Sequence, residues 1–438
     1  MNAVFLAAVL IAFIVAGYRQ VTETPLAGES APMDALGLAM IDAAKGSVEL
    51  AIGLVGVMAL FLGLMKVAEA GGLLAIIART VRPLMVRLFP DVPADHPAMG
   101  AIIMNISANV LGLGNAATPF GIRAMQELDR LNPQKGTATN AMVMFLAINT
   151  SSVTLLPTGV IALRAAAGSA DPAGILPTTL FATICSTTVA IVAVKLYQRF
   201  SPAPMGNAET GNTETGGAET GDAAGTAPAD TEPTPEPSEP YPLWVSLLVL
   251  AAVAAFVPLT ILYGRDIAPW IIPGLMLALL GFGALRGVRV YESFVEGARD
   301  GFNVALRIIP YLVAILVAVG MLRQSGALEL LITPLGAVTG LVGLPAEALP
   351  MALLRPLSGS GAYGIMASII QNPATGPDTY IGYLVTTFQG STETTFYVLA
   401  VYFGAVNIRR IRHALAAALT ADLAGIAAAV AITAWLFG

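Results

Sequence analysis

The chain has 438 residues, of which 56% are hydrophobic and only 11% are charged, and its mean hydropathy is +0.76. Soluble globular proteins carry roughly 25% charged residues, so this composition excludes an ordinary soluble fold and indicates a protein embedded in a bilayer. The net charge of −6 comes largely from one segment. The sequence has no basic stripe with interleaved aromatic residues, so it predicts no nucleic-acid partner.

Long apolar segments predict an all-α, multi-pass membrane fold. A membrane-spanning helix needs about 20 mainly apolar residues, and the period-two alternation typical of a membrane β-barrel is absent. The segments that meet or approach this length are 4–16, 48–65, 141–163, 176–196, 243–262, 271–285, 304–321, 381–406 and 415–437. Some of the shorter ones are expected to be tilted or partial spans.

The first segment has neither a basic n-region nor a small-residue cleavage site, so we expect a retained helix rather than a signal peptide. Arg19 follows it, and the positive-inside rule predicts that this end faces the cytoplasm. Residues 73–89 carry Arg79, Arg82 and Arg87 around Pro83. This pattern favours a kinked amphipathic helix at the membrane surface, with a basic connector between spans as the alternative.

Polar residues then interrupt an apolar stretch at 105–119, where Asn105, Asn109 and Asn115 lie near two glycines and Pro119. An unpaired backbone group costs several kcal/mol in hydrocarbon, so an irregular helix must face protein or a wet cavity. Two interpretations stay open: a broken helix that exposes backbone groups to a ligand, or tight packing of small residues with interhelical hydrogen bonds. Asn149 and Ser151 form a similar polar group further along.

Residues 201–240 are rich in Gly, Thr, Glu, Pro and Ala and contain no Lys or Arg. Such a composition cannot bury a core and predicts a disordered acidic linker. It follows Lys195 and Arg199, which favour a cytoplasmic location. The linker divides the chain into two domains, 1–200 and 241–438.

The second domain contains polar groups of its own at predicted membrane depth. Arg355 and Ser358 precede a Gly/Ser run, and Gln389, Thr392 and Glu393 interrupt another apolar stretch. A carboxylate inside the membrane is costly and usually functional, so Glu393 is a candidate to bind a cation, a proton or a polar solute. The structural alternative is a buried salt bridge with Arg355.

The two domains share the same order of features and are expected to be homologous halves. Gly63-Leu64-Met65-Lys66 parallels Gly320-Met321-Leu322-Arg323, and the glycines at 71–72 parallel Gly326. The 105–114 motif parallels 355–361, and 147–154 parallels 388–395. Internal duplication with interrupted helices at matching positions is typical of secondary transporters.

Enzymatic and metal chemistry has little support in the sequence. Cys185 is the single cysteine and His96 and His413 are the two histidines, which gives no set of ligands for zinc, iron–sulfur or haem. No Walker A loop is present, and the serines have no plausible histidine base. We therefore predict that the protein binds no cofactor and is not an enzyme.

Longer motifs resemble a known family. The stretches 105–119, 145–152 and 182–186 resemble spore maturation protein A, and 355–361, 389–396 and 400–405 resemble spore maturation protein B. Both belong to the group with a gate, or nucleoside-recognition, domain, shared with concentrative nucleoside transporters and ferrous-iron transporter B. The resemblance implies a gated, transporter-like core made by a fusion of two proteins. Gln389 to Glu393 is similar to a Gln-Thr-Glu motif in those transporters, although Gly390 and Ser391 interrupt the match.

The resulting hypothesis is a transporter- or channel-like protein of the inner (plasma) membrane with broken or re-entrant helices around one central polar site. It would bind a small polar solute or ion within the lipid bilayer, and the hypothesis allows a homo-oligomer. The alternative is a non-transporting scaffold or morphogenetic protein related to spore maturation. The predicted site residues are Asn105, Asn109, Asn115, Asn149, Ser151, Arg355, Ser358, Gln389, Thr392 and Glu393.

Overall fold

The computed structural model describes residues 2–23, 30–112, 114–201 and 241–438, and these ranges contain α-helices and no β-strand. The all-α prediction is confirmed; the predicted linker, apart from Ser201, lies outside the described residues. Short 3₁₀ helices lie between α11 and α12 and between α13 and α14. The α-helices are α1 (Asn2–Thr22), α2 (Pro32–Ala70), α3 (Leu73–Leu88), α4 (Pro97–Val110), α5 (Gly114–Arg130), α6 (Asn140–Thr150), α7 (Thr158–Ala166), α8 (Leu176–Tyr197), α9 (Leu243–Leu285), α10 (Val290–Gln324), α11 (Ala327–Thr339), α12 (Leu349–Leu354), α13 (Gly359–Gln371), α14 (Tyr380–Ser391), α15 (Thr395–Gly404) and α16 (Ala414–Phe437).

Several helices can cross a bilayer. Among the described residues, α1, α2, α8 and α16 are long and apolar enough, and the bent pair α10–α11 adds a fifth span if it is counted as one. The chain is therefore a multi-pass membrane protein. The predicted spans 243–262 and 271–285 form the single helix α9.

The same element order occurs in α1–α8 and α9–α16, as the internal repeat predicts. In each half a long helix turns sharply into a shorter one at a glycine with left-handed backbone, Gly72 (φ 82°) before α3 and Gly326 (φ 79°) before α11. Only glycine adopts this conformation without a steric penalty. Between α10 and α11 the axes differ by 80°.

The long helices α2 and α10 pack closely and antiparallel through small residues. A Cβ placed on Gly297 would lie 2.5 Å from the Leu62 carbonyl oxygen, and one on Gly301 would lie 2.6 Å from Ala59 Cα. Gly63 is similarly close to Phe294. Small residues four apart let membrane helices approach until their backbones touch, so this pair joins the halves.

The spans α8 and α16 run in opposite directions and define two ends of the molecule. At one end, the Tyr197 hydroxyl of α8 lies 3.0 Å from the Thr420 hydroxyl of α16. At the other end, the Phe437 ring of α16 stacks on Tyr383, with 3.7 Å between centroids, and Tyr383 contacts the segment before α8 at Gly174. We call the first the basic end because cations gather there: Lys135, Arg199, Arg409, Arg410 and Arg412.

Arg19 and the basic end lie at opposite ends of the molecule, so the positive-inside predictions for Arg19 and for Lys195 and Arg199 do not both hold. Arg19 Nη1 donates to the Ser325 carbonyl oxygen at 3.3 Å, after α10, at the end opposite the basic one. The rule describes a bias summed over loops, so a single arginine carries little weight against a cluster. The amphipathic α3 buries Leu74, Ala78 and Met85 beside the basic end; its position at the membrane surface stays a prediction.

The predicted spans 141–163 and 381–406 are each broken in the middle. Helix α6 begins at the basic end, where the Ala138 N–H donates to the Arg410 carbonyl at 3.0 Å. Helix α7 finishes at the opposite end, where Arg164 Nη1 donates to the Pro377 carbonyl at 2.6 Å. Helices α14 and α15 run the other way, since α14 begins after Pro377 and α15 finishes before Arg410. The two halves therefore have inverted orientations, as in many transporters.

Two re-entrant hairpins accompany the broken spans. Helices α4 and α5 pack against each other, and the Val110 carbonyl at their tip accepts from the Leu155 N–H in the α6–α7 break at 2.9 Å. In the other half, the Pro356 carbonyl between α12 and α13 accepts from the Phe396 N–H in α15 at 3.1 Å. Broken and re-entrant helices thus both occur, and the hairpins enter from opposite ends.

Candidate functional site

The two breaks and the two hairpin tips meet near the middle of α8 and α16. The Thr150 carbonyl at the end of α6 accepts from the Glu393 N–H between α14 and α15 at 2.9 Å. A Cβ on Gly425 of α16 would lie 2.8 Å from Thr392 Cγ2 and 3.3 Å from Ser186 of α8. The C-termini of α4, α6, α12 and α14 and the N-termini of α5, α7, α13 and α15 therefore converge. Helix ends carry unpaired backbone groups and partial charges, which suit binding of polar solutes and ions.

Three asparagine amides and a tyrosine form the first half of the site. Asn109 Nδ2 donates to Asn149 Oδ1 at 3.0 Å, and the Tyr402 hydroxyl donates to the same oxygen at 3.4 Å. Asn105 Nδ2 donates to the Ala117 carbonyl at 2.8 Å and to Tyr402 Oη at 3.3 Å. Asn105 and Asn149 are buried, and Asn105 Oδ1 has no hydrogen-bond partner within the described part of the chain.

Two predicted site residues have helix-terminal roles in the structure. The Ser151 hydroxyl donates to the Ala147 carbonyl at 2.8 Å, and its own carbonyl accepts from the Thr187 hydroxyl of α8. The Ser358 hydroxyl accepts from the Gly361 N–H at 3.0 Å and caps α13. These contacts satisfy backbone groups at the tips, which must be paired in a membrane.

Arg355 holds the break in the second half. Its Nη1 donates to the Thr394 hydroxyl at 2.9 Å, and its Nη2 donates to the carbonyls of Gln389, at 3.2 Å, and Thr392. These carbonyls lie at the C-terminus of α14, where a cation is favoured by the helix dipole. The guanidinium is buried, so it replaces the missing backbone donors of the broken span.

Glu393 forms the expected ion pair but is not buried. Its Oε2 lies 3.7 Å from Arg355 Nη2, while its side chain is 53% exposed and that of Arg355 is 5% exposed. A carboxylate at mid-depth is too costly to face hydrocarbon, so the space beside Glu393 must hold water or polar groups. Gln389 Oε1 is buried without a hydrogen-bond partner among the described residues.

Sequence reasoning missed a second carboxylate. Asp422 of α16 is 2% exposed, and its Oδ2 accepts from the Thr395 hydroxyl at 2.6 Å. The signal was present, because Asp422 interrupts the predicted span 415–437 as Glu393 interrupts another. Tyr402 was also missed, although it lies within a motif that supported the family resemblance.

Two arginines outside the site join the halves reciprocally. Arg164, fully buried in the last turn of α7, pairs with Asp378 before α14 at 3.1 Å and lies 4.2 Å from the Tyr383 ring centroid. Arg412, after α15, donates to Asn140 Oδ1 at the start of α6 at 2.9 Å. Each broken span is therefore held at one end by the other half.

Other features add little to the site. The side chain of Asn115 lies outside the described residues. In the described ranges, no group of three His, Cys, Asp or Glu side chains could hold a metal ion. The structure thus brings together Asn105, Asn109 and Asn149 in one cluster and Arg355, Gln389, Thr392 and Glu393 in another, joined at Thr150.

Relatives of known name match large parts of the chain. Spore maturation protein B of Bacillus subtilis (strain 168) is 46% identical over 167 residues, which are 38% of this chain and 93% of that protein. Spore maturation protein A of the same organism is 48% identical over 154 residues, 35% of this chain and 79% of that protein. Inner membrane protein YjiG of Escherichia coli (strain K12) is 34% identical over 94 residues, 21% of this chain and 61% of that protein.

Among solved structures, the YdaH transporter of Alcanivorax borkumensis aligns over 98% of both chains with 15% identity and a TM-score of 0.35, which is below that of a shared fold. The Gate family, described as nucleoside recognition, matches residues 51–167 and 305–409. These two segments make up about half of the chain and contain both broken spans and both hairpins. The chain therefore belongs to the Gate (nucleoside recognition) family and carries one match to it in each half.

Proposed function

We propose that the protein is a secondary-transporter-like membrane protein that binds and moves a small polar solute at the centre of its two inverted halves. One observation carries the proposal: two broken spans of opposite orientation meet at mid-depth through the Thr150–Glu393 backbone contact. Discontinuous helices at the interface of inverted repeats are where secondary transporters bind solute and coupling ion.

The chemistry of the site favours a neutral or zwitterionic polar solute. Amide groups of Asn109 and Asn149 can each donate and accept hydrogen bonds, and the half-exposed carboxylate of Glu393 can accept from hydroxyl or amino groups. The family description names nucleoside recognition, so a nucleoside is the first solute to test. We further propose that the protein lies in the inner (plasma) membrane with its basic end toward the cytoplasm, as the positive-inside rule favours.

A scaffold function is the second candidate, and a specific observation favours it. The relatives that match at 46% and 48% identity are named for spore maturation rather than transport. In a scaffold the same polar contacts would only lock helices together. The two functions differ in whether a solute is bound and crosses the membrane.

Uptake by proteoliposomes tests the proposal. The full chain is reconstituted, and accumulation of a panel of radiolabelled nucleosides is compared for the wild type, Asn149→Leu and the matched control Asn303→Leu, an exposed asparagine on α10. We expect the wild type and the control to accumulate at least one nucleoside. The uptake rate of Asn149→Leu should be lower by roughly tenfold or more, because a loss of about 1.4 kcal/mol in binding free energy lowers affinity tenfold. Equal uptake by Asn149→Leu would remove this residue from the site, and no uptake or binding by any of them would favour the scaffold.

A further inference from the structure

The charges around Arg355 do not balance. Arg355 lies 3.7 Å from Glu393 and donates to the Thr394 hydroxyl, and the adjacent Thr395 hydroxyl donates to Asp422 of α16. No other charged side chain among those described forms an ion pair with any of the three. One cation therefore faces two carboxylates, and the cluster has a net charge of −1 when both are ionised.

Asp422 is the carboxylate that lacks compensation. Glu393 is half exposed and can be solvated, whereas Asp422 is 2% exposed in the middle of a membrane helix. Its Oδ2 accepts from the Thr395 hydroxyl at 2.6 Å, but its Oδ1 is buried with no hydrogen-bond partner among the described residues. A buried charge without compensation is unfavourable by several kcal/mol and is normally neutralised.

The elements packed against α16 do not supply the missing charge. Helices α6, α8, α14 and α15 pack on it, and at this depth α8 presents the Ser186 hydroxyl to the Ala421 carbonyl at 2.9 Å. The titratable groups on these helices include Tyr402, bound to Asn149, Cys185 beside Ser186, and Tyr197, whose hydroxyl lies 3.0 Å from that of Thr420; none of the three is a cation. The remaining source of positive charge is the solution.

We infer that Asp422 binds one exchangeable positive charge, a proton or Na⁺, which neutralises the cluster in its resting state. Uptake of H⁺ on Oδ1, or of Na⁺ beside it, changes the cluster from −1 to 0. The helix break at Thr392, against Gly425 one turn from Asp422, places this charge next to the solute site. The inference rests on the proposed function for its role in coupling, but the binding itself is measurable without solute.

Thermal unfolding of the full chain in detergent, with no nucleoside present, tests the inference. A ligand that binds the folded state raises the unfolding temperature, so wild type is compared with Asp422→Asn and with Asp42→Asn, an exposed carboxylate on α2. One arm replaces choline chloride by NaCl at constant ionic strength, and the other lowers the pH from 8.5 to 5 at constant salt. We expect one of these two changes of conditions to raise the unfolding temperature of wild type and of Asp42→Asn by about 2–4 °C more than that of Asp422→Asn.

The arm that responds identifies the charge as Na⁺ or H⁺. If neither arm separates wild type from Asp422→Asn, the inference is overturned, while the uptake assay still decides the proposed function independently. Should Asp422→Asn not fold, Thr395→Val keeps the carboxylate and removes the hydrogen bond to its ionised form. It must then shift the half-effect concentration or pH of the responding arm, and an unchanged half-effect value would equally overturn the inference.

Discussion

At the scale of single residues, the site divides into side chains that hold the breaks together and side chains that are left with capacity to bind. Arg355, Ser151 and Ser358 form hydrogen bonds with backbone groups at the helix breaks and hairpin tips. Asn105 Oδ1 and Gln389 Oε1 are buried without a hydrogen-bond partner among the described residues. The second group is where solute contacts are expected, because an unpaired buried acceptor gains most from a new donor.

The two partners of the ion pair should contribute very differently to stability. Arg355→Met leaves the carbonyls of Gln389 and Thr392 without donors, and each unsatisfied buried group costs roughly 1–3 kcal/mol. Glu393→Gln removes a half-exposed charge 3.7 Å from its partner, and such pairs contribute about 1 kcal/mol or less. In detergent, the unfolding temperature of Arg355→Met should be clearly lower than that of Glu393→Gln. The opposite ranking would mean that the carboxylate, not the guanidinium, holds the break.

His413, at the basic end and outside the spans, should make stability sensitive to acid. Burial, with Arg412 beside it, lowers the pKa of His413 from 6.5 to about 4, and neither ring nitrogen has a hydrogen-bond partner among the described residues. Between those pH values the unfolded chain binds more protons than the folded one, so stability falls as the pH falls. The unfolding midpoint of the wild type should drop from pH 6.5 to 4, and that of His413→Gln should drop less. Parallel curves would contradict the assignment.

Sequence reasoning found most of the polar positions but not their partners. Asn149 and Glu393 were recognisable because each is costly in an apolar segment, yet nothing in the sequence pairs Asn109 with Asn149 or Thr150 with Glu393. Those contacts depend on how two halves cross. Asp422 follows from the same cost argument and was overlooked because the segment around it is otherwise continuous and apolar.

At the scale of elements, interruption of helices is what makes this membrane fold able to present polar groups at mid-depth. The sequence predicted interrupted segments at 105–119, 147–154, 355–361 and 388–395, with 147–154 and 388–395 inside predicted spans, but it did not distinguish broken spans from re-entrant hairpins. That distinction comes from the ends: α7 finishes beside Pro377, whereas α5 returns to the basic end. Whether a segment is a broken span or a hairpin therefore depends on contacts between distant parts of the chain, and the local sequence does not predict such contacts.

The α2–α10 pair offers a test of helix packing. Gly297→Val would place a Cβ 2.5 Å from the Leu62 carbonyl oxygen, so the helices must separate. Overpacking typically costs roughly 1–3 kcal/mol, which thermal unfolding should detect as a lower midpoint. Gly56→Val on α2 is the matched control, since a Cβ there meets nothing within 4 Å. Equal effects of the two changes would mean that α2 and α10 are not in close contact.

At the scale of the whole molecule, the two halves form one core rather than two adjacent domains. Helix α8 packs on α16, α6 on α16 and α14 on α8, and Arg164 and Arg412 each bind the opposite half. The boundaries 1–200 and 241–438 stay a prediction. If the segment 201–240 between the halves serves only as a tether, a fused chain and two separate chains would form the same core.

Separate expression tests this arrangement. We expect residues 1–200 and 241–438, produced together without the segment between them, to copurify as one complex. Each half alone should be unstable, because the buried Arg164 and the half-buried Arg412 lose their partners in the other half. Two halves that purify stably and never associate would show that the core is not shared.

The most direct measurement of the central claim asks whether water reaches the meeting point of the broken spans. In a Cys185→Ser background, Glu393→Cys is compared with Leu423→Cys, which is 68% exposed on the outer face of α16. Both proteins are treated with a membrane-impermeant cationic thiol reagent in proteoliposomes. A transporter-like site predicts rapid labelling at 393 and little at 423, with labelling at 393 slowed by a bound solute. If 393 reacts no faster than 423, the site is closed to water and the transport proposal is contradicted.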